Sequence, residues 1–131
     1  MPIYTLAVTA NANSENEEEI ELEGYAITRV SILFPPGCLG LVAVRFFYGI
    51  KQIFPYEEET EFRGSGETIE WDEFWQLPEE RTKIKMVVIN EDDTYQHTIY
   101  ARIVVKKRAE LLAEQIANAF VKIFKRLFGY V

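Results

Sequence analysis

The chain is poor in the residue types that build most active sites. It has one cysteine, Cys38, one histidine, His97, and three serines among 131 residues. A single cysteine excludes an intrachain disulfide framework. One histidine and one cysteine are too few protein ligands for a zinc centre. None of the patterns GxSxG, GxxxxGK[ST], HExxH or CxxC occurs, so no nucleophile elbow, phosphate loop or zinc motif is expected. No run of 18 apolar residues occurs, and no basic, apolar, small-residue leader precedes the first strand-like segment. Those absences point to a protein made in a cytoplasm, with no membrane span. A particle assembled there and released later fits equally well.

Positive charge is also scarce. The net charge is −7, and nucleic acid is not expected as a partner, because phosphate binding requires a basic surface. The charge is unevenly distributed. Residues 1–101 hold seven basic and nineteen acidic side chains, a net of −12, whereas residues 102–131 hold seven and two, a net of +5. An acidic body and a basic tail can pair with each other or with neighbouring copies.

What is present is alternation. "IYTLAVTA" places Tyr4, Leu6 and Val8 on one face. "YAITRVSILF" and "LVAVRFFYG" form a strand pair, with Thr28, Val30, Ile32 and Phe34 on one face of the first and Val42, Val44, Phe46 and Tyr48 on one face of the second. "PPGCLG" interrupts them, its prolines removing two ladder donors. "KQIFPY" is a short strand, and "EEETEFRGSGE" an acidic, glycine-broken loop. "TIEWDEFWQLP" is expected to be a strand followed by a helical turn. "TKIKMVVIN" and "HTIYARIVV" alternate again. The stretch 11–23, with six Glu from Glu15 to Glu23, reads as an acidic loop running into an edge strand, its charges opposing edge pairing; a docking face for a basic partner is the sharper alternative.

About eight short strands with turn signals between them predict an all-β antiparallel sandwich of jelly-roll type over residues 1–105. Residues 106–131 differ, with no proline and no glycine before Gly129. Leu112, Ile116, Ala119, Phe120, Ile123 and Leu127 recur at helical spacing. Acids lie towards the start and Lys122, Lys125 and Arg126 near the end, as the helix dipole favours. One C-terminal amphipathic helix follows, with Phe124, Phe128, Tyr130 and Val131 off its main stripe. Its apolar surface is expected to pack on the sandwich or on neighbouring subunits; a membrane is not expected to cover it.

Candidate chemistry is thin. Cys38 has no basic sequence neighbour to lower its pKa, and His97 falls on the apolar parity of its strand, so a Cys38–His97 nucleophile is not expected. Glu70, Asp72 and Glu73 flank Trp71, the residue types a glycosidase pairs, yet an exposed acidic face explains them as well. Trp71, Trp75, Tyr48 and Tyr56 offer a flat stacking surface for a glycan. "NEDDTYQHT" (90–98) supplies hard oxygens for calcium, but it lacks the EF-hand glycine and terminal glutamate, and a hairpin turn is the simpler reading. No cofactor and no metal are expected.

"VSILFPPGCLGLVAVRFFYGIKQIFP", "GETIEWDEFWQLPE" and "VINEDDTYQHTIYARIVV" carry a resemblance: residues 26–105 resemble small β-sandwich proteins encoded among the virion genes of tailed phages and archaeal viruses. The resemblance implies a non-enzymatic structural or assembly subunit of a particle, as a head decoration, an adaptor or a spike, in contact with other virion proteins. Together with a generous aromatic content of 14%, nine Phe, seven Tyr and two Trp, and with the charge split, it leads to the expectation of a homo-oligomer. The interaction candidates are Leu112, Ile116, Phe120, Ile123, Phe124 and Leu127 on the helix, and Trp71 and Trp75 on the body. The alternative from another class is a carbohydrate-binding β-sandwich module; a small hydrolase built on Glu or Asp pairs is a third reading.

Overall fold

The computed structural model describes residues 2–129. Eight full strands make two antiparallel sheets. β1 (Ile3–Ala10), β3 (Ala26–Phe34), β7 (Glu67–Gln76) and β9 (His97–Lys106) form one sheet in the order β1-β9-β3-β7. β2 (Ser14–Glu23), β4 (Val42–Tyr48), β5 (Lys51–Phe54) and β8 (Arg81–Asn90) form the other in the order β2-β8-β4-β5, and the two-residue β6 (Phe62–Arg63) adds to β4. Consecutive strands change sheet at nearly every step, β4 to β5 being the main local hairpin. This is jelly-roll topology, and the expected all-β sandwich is observed.

Alternation drives the packing, because side chains in a strand point to opposite faces in turn. Val8, Val30, Ile32, Phe34, Ile99 and Ile103 from one sheet meet Leu22, Val42, Phe46, Ile84 and Met86 from the other, all essentially without solvent contact. β3 departs from simple parity. A register shift between Ile27 and Arg29, against both β7 and β9, lets Ala26 and Ile27 both be buried in succession. A bulge of this kind inserts one residue and resets which face follows.

Two expectations require correction. The stretch 11–23 is not an acidic loop: only residues 11–13 turn, and 14–23 is the ten-residue edge strand β2. Its whole length pairs with β8, Leu22 is buried, and Lys83 and Lys85 on β8 reach diagonally to Glu19 (3.9 Å) and Glu17 (3.5 Å). Backbone pairing and cross-strand cations together outweigh like-charge repulsion on the exposed face. Nor does "TIEWDEFWQLP" end in a helical turn. It is extended throughout β7, paired with β3 from Glu67 to Gln76, with Ile69, Trp71, Glu73 and Trp75 towards the sandwich and the residues between them outward. Period-2 burial over ten residues cannot be met by a helix.

The helix α1 (Arg108–Phe128) follows β9 after a single residue, Lys107. The Lys107 N–H donates to Glu110 Oε1 at 3.4 Å, and Gly129, at φ 68°, ends the helix with its N–H on Lys125 O. No described residue of α1 is buried. Its ties to the body sit at its start, where Lys106 pairs with Glu114 and Arg108 lies over the Tyr25 ring at 5.8 Å. Phe46→Ala should lower the unfolding free energy by about 3–5 kcal/mol. Phe120→Ala, at concentrations where the chain is monomeric, should change it by less than about 0.5 kcal/mol. Urea denaturation followed by circular dichroism checks both values.

Candidate functional site

Three places collect the sequence candidates. The first is the end of the sandwich where the β8–β9 connection meets the β3–β4 turn. Asn90, buried at the end of β8, donates from Nδ2 to Ala10 O (3.0 Å) and Tyr95 O (2.9 Å), and its Oδ1 accepts from the Asp92 N–H (3.0 Å). Asp92 Oδ1 accepts from the N–H groups of Thr94 (2.9 Å) and Tyr95 (3.3 Å). Asp92 Oδ2 receives His97 Nε2 at 2.8 Å. In the neutral ring that bond leaves Nδ1 to accept from the Cys38 thiol, 3.8 Å away. Cys38 and His97, 59 residues apart, are thus in contact, which sequence alone did not lead us to expect.

Thiol, imidazole and carboxylate stand in the order used by nucleophilic triads. Their environment opposes that chemistry. Cys38 has no solvent exposure; burial, and next the Asp92 anion, push its thiol above the usual range. An activated nucleophile needs the reverse. The oxygens of Asn90 and Asp92 are likewise spent on backbone N–H groups and on His97, which is the pattern of a turn staple rather than of a calcium cage. The expected hairpin is corrected: β8 and β9 belong to different sheets and do not pair, so "NEDDTYQHT" is a bend that carries the chain from one sheet to the other, and these bonds fix that bend.

The second place is an aromatic cleft of about 310 Å³ between β5, the loop after it and β7. Trp71 and Trp75 enter it from the same face of β7. Phe62 stacks on Trp71, with centroids 4.8 Å apart and planes at 28°. Phe54 sets its edge against Trp71 (5.8 Å) and Trp75 (6.5 Å), and Tyr48 meets Trp75 at 5.8 Å. Trp71 Nε1–H donates to Glu73 Oε2 at 3.0 Å. Gln52, itself buried, donates from Nε2 to the carbonyls of Pro55 (2.9 Å), Glu57 (3.1 Å) and Thr60 (2.9 Å), fixing the outer wall. Tyr56 stands on that wall, 85% exposed.

An ionic anchor fastens the far end of the wall. Glu61 Oε2 accepts from Arg45 Nη2 at 3.0 Å, Arg63 also bonds Glu61, and Arg63 Nη2 reaches Glu91 Oε1 at 2.7 Å. Partial burial acts against the Glu61 anion, but the bonds from Arg63 and Arg45 prevail and hold it below the usual carboxylate range.

Alternation along β7 separates the acids weighed as a glycosidase pair, and the exposed acidic face holds for two of them. Glu70 and Asp72 point outward onto Arg29, at 3.1 and 2.7 Å, whereas Glu73 faces the cleft. They sit on opposite faces, so no acid–base couple forms around Trp71. The sequence reading missed Phe54, Phe62 and Gln52 as parts of this cleft, and had Glu73 only as one of three acids flanking Trp71. Phe62 was hidden inside an acidic loop, and its only signal was an aromatic flanked by Glu61 and Arg63.

The third place is α1. Leu112, Ile116, Phe120, Ile123, Phe124 and Leu127 are all exposed along it, Ile116, Phe120 and Leu127 by 70%, 69% and 73%. None of them lines the tryptophan cleft, so the candidates form two separate surfaces. Tyr130 and Val131 lie outside the described residues.

The buried staple makes two checkable statements. Asp92 is held below the usual carboxylate range, first by the His97 bond and then by the Thr94 N–H. The folded state therefore favours the anion, and the stabilisation is complete above the unfolded pKa of about 4 and lost as pH falls through the lower folded value. Asp92→Asn should lower the melting temperature at pH 7 and flatten its decline below about pH 4, as read by melting curves across pH. Cys38 should resist a thiol-disulfide exchange reagent at pH 8 in the folded protein and react at once in urea; rapid native labelling would reveal an activated thiolate instead.

No protein-family model matches the chain, and no curated protein matches it in sequence. Among solved structures, the Yersinia pseudotuberculosis-derived mitogen is similar at TM-score 0.45 and 8% identity, over 79% of this chain and 86% of that one. A likeness at that level carries no functional weight.

Proposed function

We propose that the chain is a non-enzymatic structural subunit that assembles with copies of itself through α1, in the role of a virion component such as a head decoration, an adaptor or a spike. The observation that carries the assembly reading is a 21-residue helix without one buried side chain among its described residues. The virion role rests on the sequence resemblance over residues 26–105.

Three arguments favour a second copy as the cover for this helix. First, one linking residue joins β9 to α1, and so short a connection gives the chain little room to fold a helix of about 30 Å back over its own sheet. Secondly, at about 100° per residue the apolar positions from Leu112 to Leu127 occupy about half of the helix circumference. That arc is wider than the narrow seam of a two-stranded coil and suits contact with more than one neighbouring helix. Thirdly, the tail is basic and the body acidic, a complementarity that draws the tail of one copy towards the body of the next.

Among the described residues no helix is long and apolar enough to cross a membrane. A helix lying flat on an anionic bilayer would bring a body of net charge −12 close to a surface of its own sign.

Light scattering coupled to size exclusion should give an oligomer for the full chain. Ile116→Glu combined with Phe120→Glu should give a monomer with an unchanged sandwich circular dichroism spectrum. A monodisperse monomer of the unaltered chain at high concentration would end the assembly reading.

A further inference from the structure

We propose that the aromatic cleft between β5, the loop that follows it and β7 is a saccharide-binding site that takes a neutral pyranose or a short chain of them. This inference is independent of the assembly reading, because the cleft and α1 share no residue.

The cleft is built rather than incidental. Phe54, 4% exposed, is in ring contact with both tryptophans, which themselves pack against the core. The opposite wall is held by the buried Gln52, whose Nε2 shares its two protons among the carbonyls of Pro55, Glu57 and Thr60. A volume near 310 Å³ sits at the lower limit of small-ligand pockets, about 300–1,000 Å³. That size suits one or two sugar rings and is small for a folded partner.

The lining selects the ligand class. Trp71, Trp75 and Tyr56 all line the cleft, with Phe62 stacked on one face of Trp71, and the negative face of an aromatic ring matches the C–H face of a pyranose. Glu73 Oε2 holds the Trp71 N–H, and its carboxylate keeps acceptor capacity for sugar hydroxyls. Lys51, across the cleft, brings an ammonium donor. Acceptor and donor beside aromatic planes fit a molecule with an apolar face and a hydroxyl edge. A purely apolar ligand would leave Glu73 desolvated without compensation. A phosphate-bearing ligand would meet its carboxylate as a like charge.

The chain's two tryptophans are both in this cleft, so its intrinsic fluorescence reports the site directly. The test titrates the full chain with a panel of neutral methyl hexopyranosides, their disaccharides and an apolar control, reading tryptophan emission and backbone amide NMR shifts. At least one saccharide should shift the emission and perturb amides of β5 and β7. Trp75→Ala should weaken its binding tenfold or more, and Glu73→Gln several-fold. Glu73→Gln replaces a half-exposed side chain with one of the same shape, so it should keep the fold even if a tryptophan variant does not. Silence across the saccharide panel, or binding that survives both substitutions, overturns the proposal. So does a proline-rich peptide that shifts the emission where no saccharide does.

Discussion

Strand β9 is the member on which the other parts depend. It is paired on both sides, with β1 along Ile3 to Ala10 and with β3 along Ala26 to Leu33, and its inward side chains Ile99, Ala101, Ile103 and Val105 are buried in the core. A central strand with both ladders filled and one face in the core has a single register available, since a one-residue slip would turn all four of these side chains to solvent. Both ends of β9 carry consequences. At its start, His97 is fixed between Asp92 and Cys38, which ties the β8–β9 connection to the β3–β4 turn. At its end the chain passes through Lys107 into α1, so the direction in which the helix leaves is set by the strand rather than by helix packing.

Much of this was legible in the sequence, and the reason is periodicity. β1, β4, β8 and β9 each show apolar residues at every second position, and α1 shows them at every third or fourth. Those patterns follow from burial of one face and survive in a single sequence. The turn at 90–97 was legible from the residue types that tolerate bends. The edge strand β2 was not read in full, because its Glu residues occupy exposed positions on both faces near its start and only Ile20 and Leu22 report an interior. β7 was misread at its end because Glu73 takes an inward position beside Trp71 and Trp75, breaking the apolar pattern where a cleft replaces the core. The bulge in β3 leaves no compositional mark. The Cys38–His97 contact and the meeting of Phe62 with Trp71 depend on strand order, which periodicity does not encode. Local pattern and final structure disagree most at the candidate sites, since a site must hold polar groups where a core would hold apolar ones.

The two surfaces are unsatisfied in different ways. The cleft is rigid: its rings brace one another, its wall is stapled by Gln52, and the loop beyond is pinned by Arg63 and Glu61. Such a site loses little ordering entropy on binding, so even a shallow contact area can be useful. The helix is the opposite case. None of its described side chains is buried, and the exposure of its apolar face is a cost that persists until another surface removes it from water.

If both proposals hold, each surface makes the other more effective. A single small cleft binding a hydroxyl-rich ligand through two tryptophans and one carboxylate gains little free energy, because water competes for each hydroxyl. Bundling of α1 would place several identical clefts on one particle, and the second contact would then occur at the effective concentration set by the bundle rather than by bulk solution. Because α1 leaves directly from a doubly paired strand, the clefts would be held at fixed relative positions, not tethered by a flexible linker. A rigid array favours surfaces whose saccharides repeat at a matching spacing and gains little on free sugars. Weak single-site affinity and tight surface binding would therefore belong to the same molecule, and their ratio would measure how rigidly β9 passes its orientation to α1.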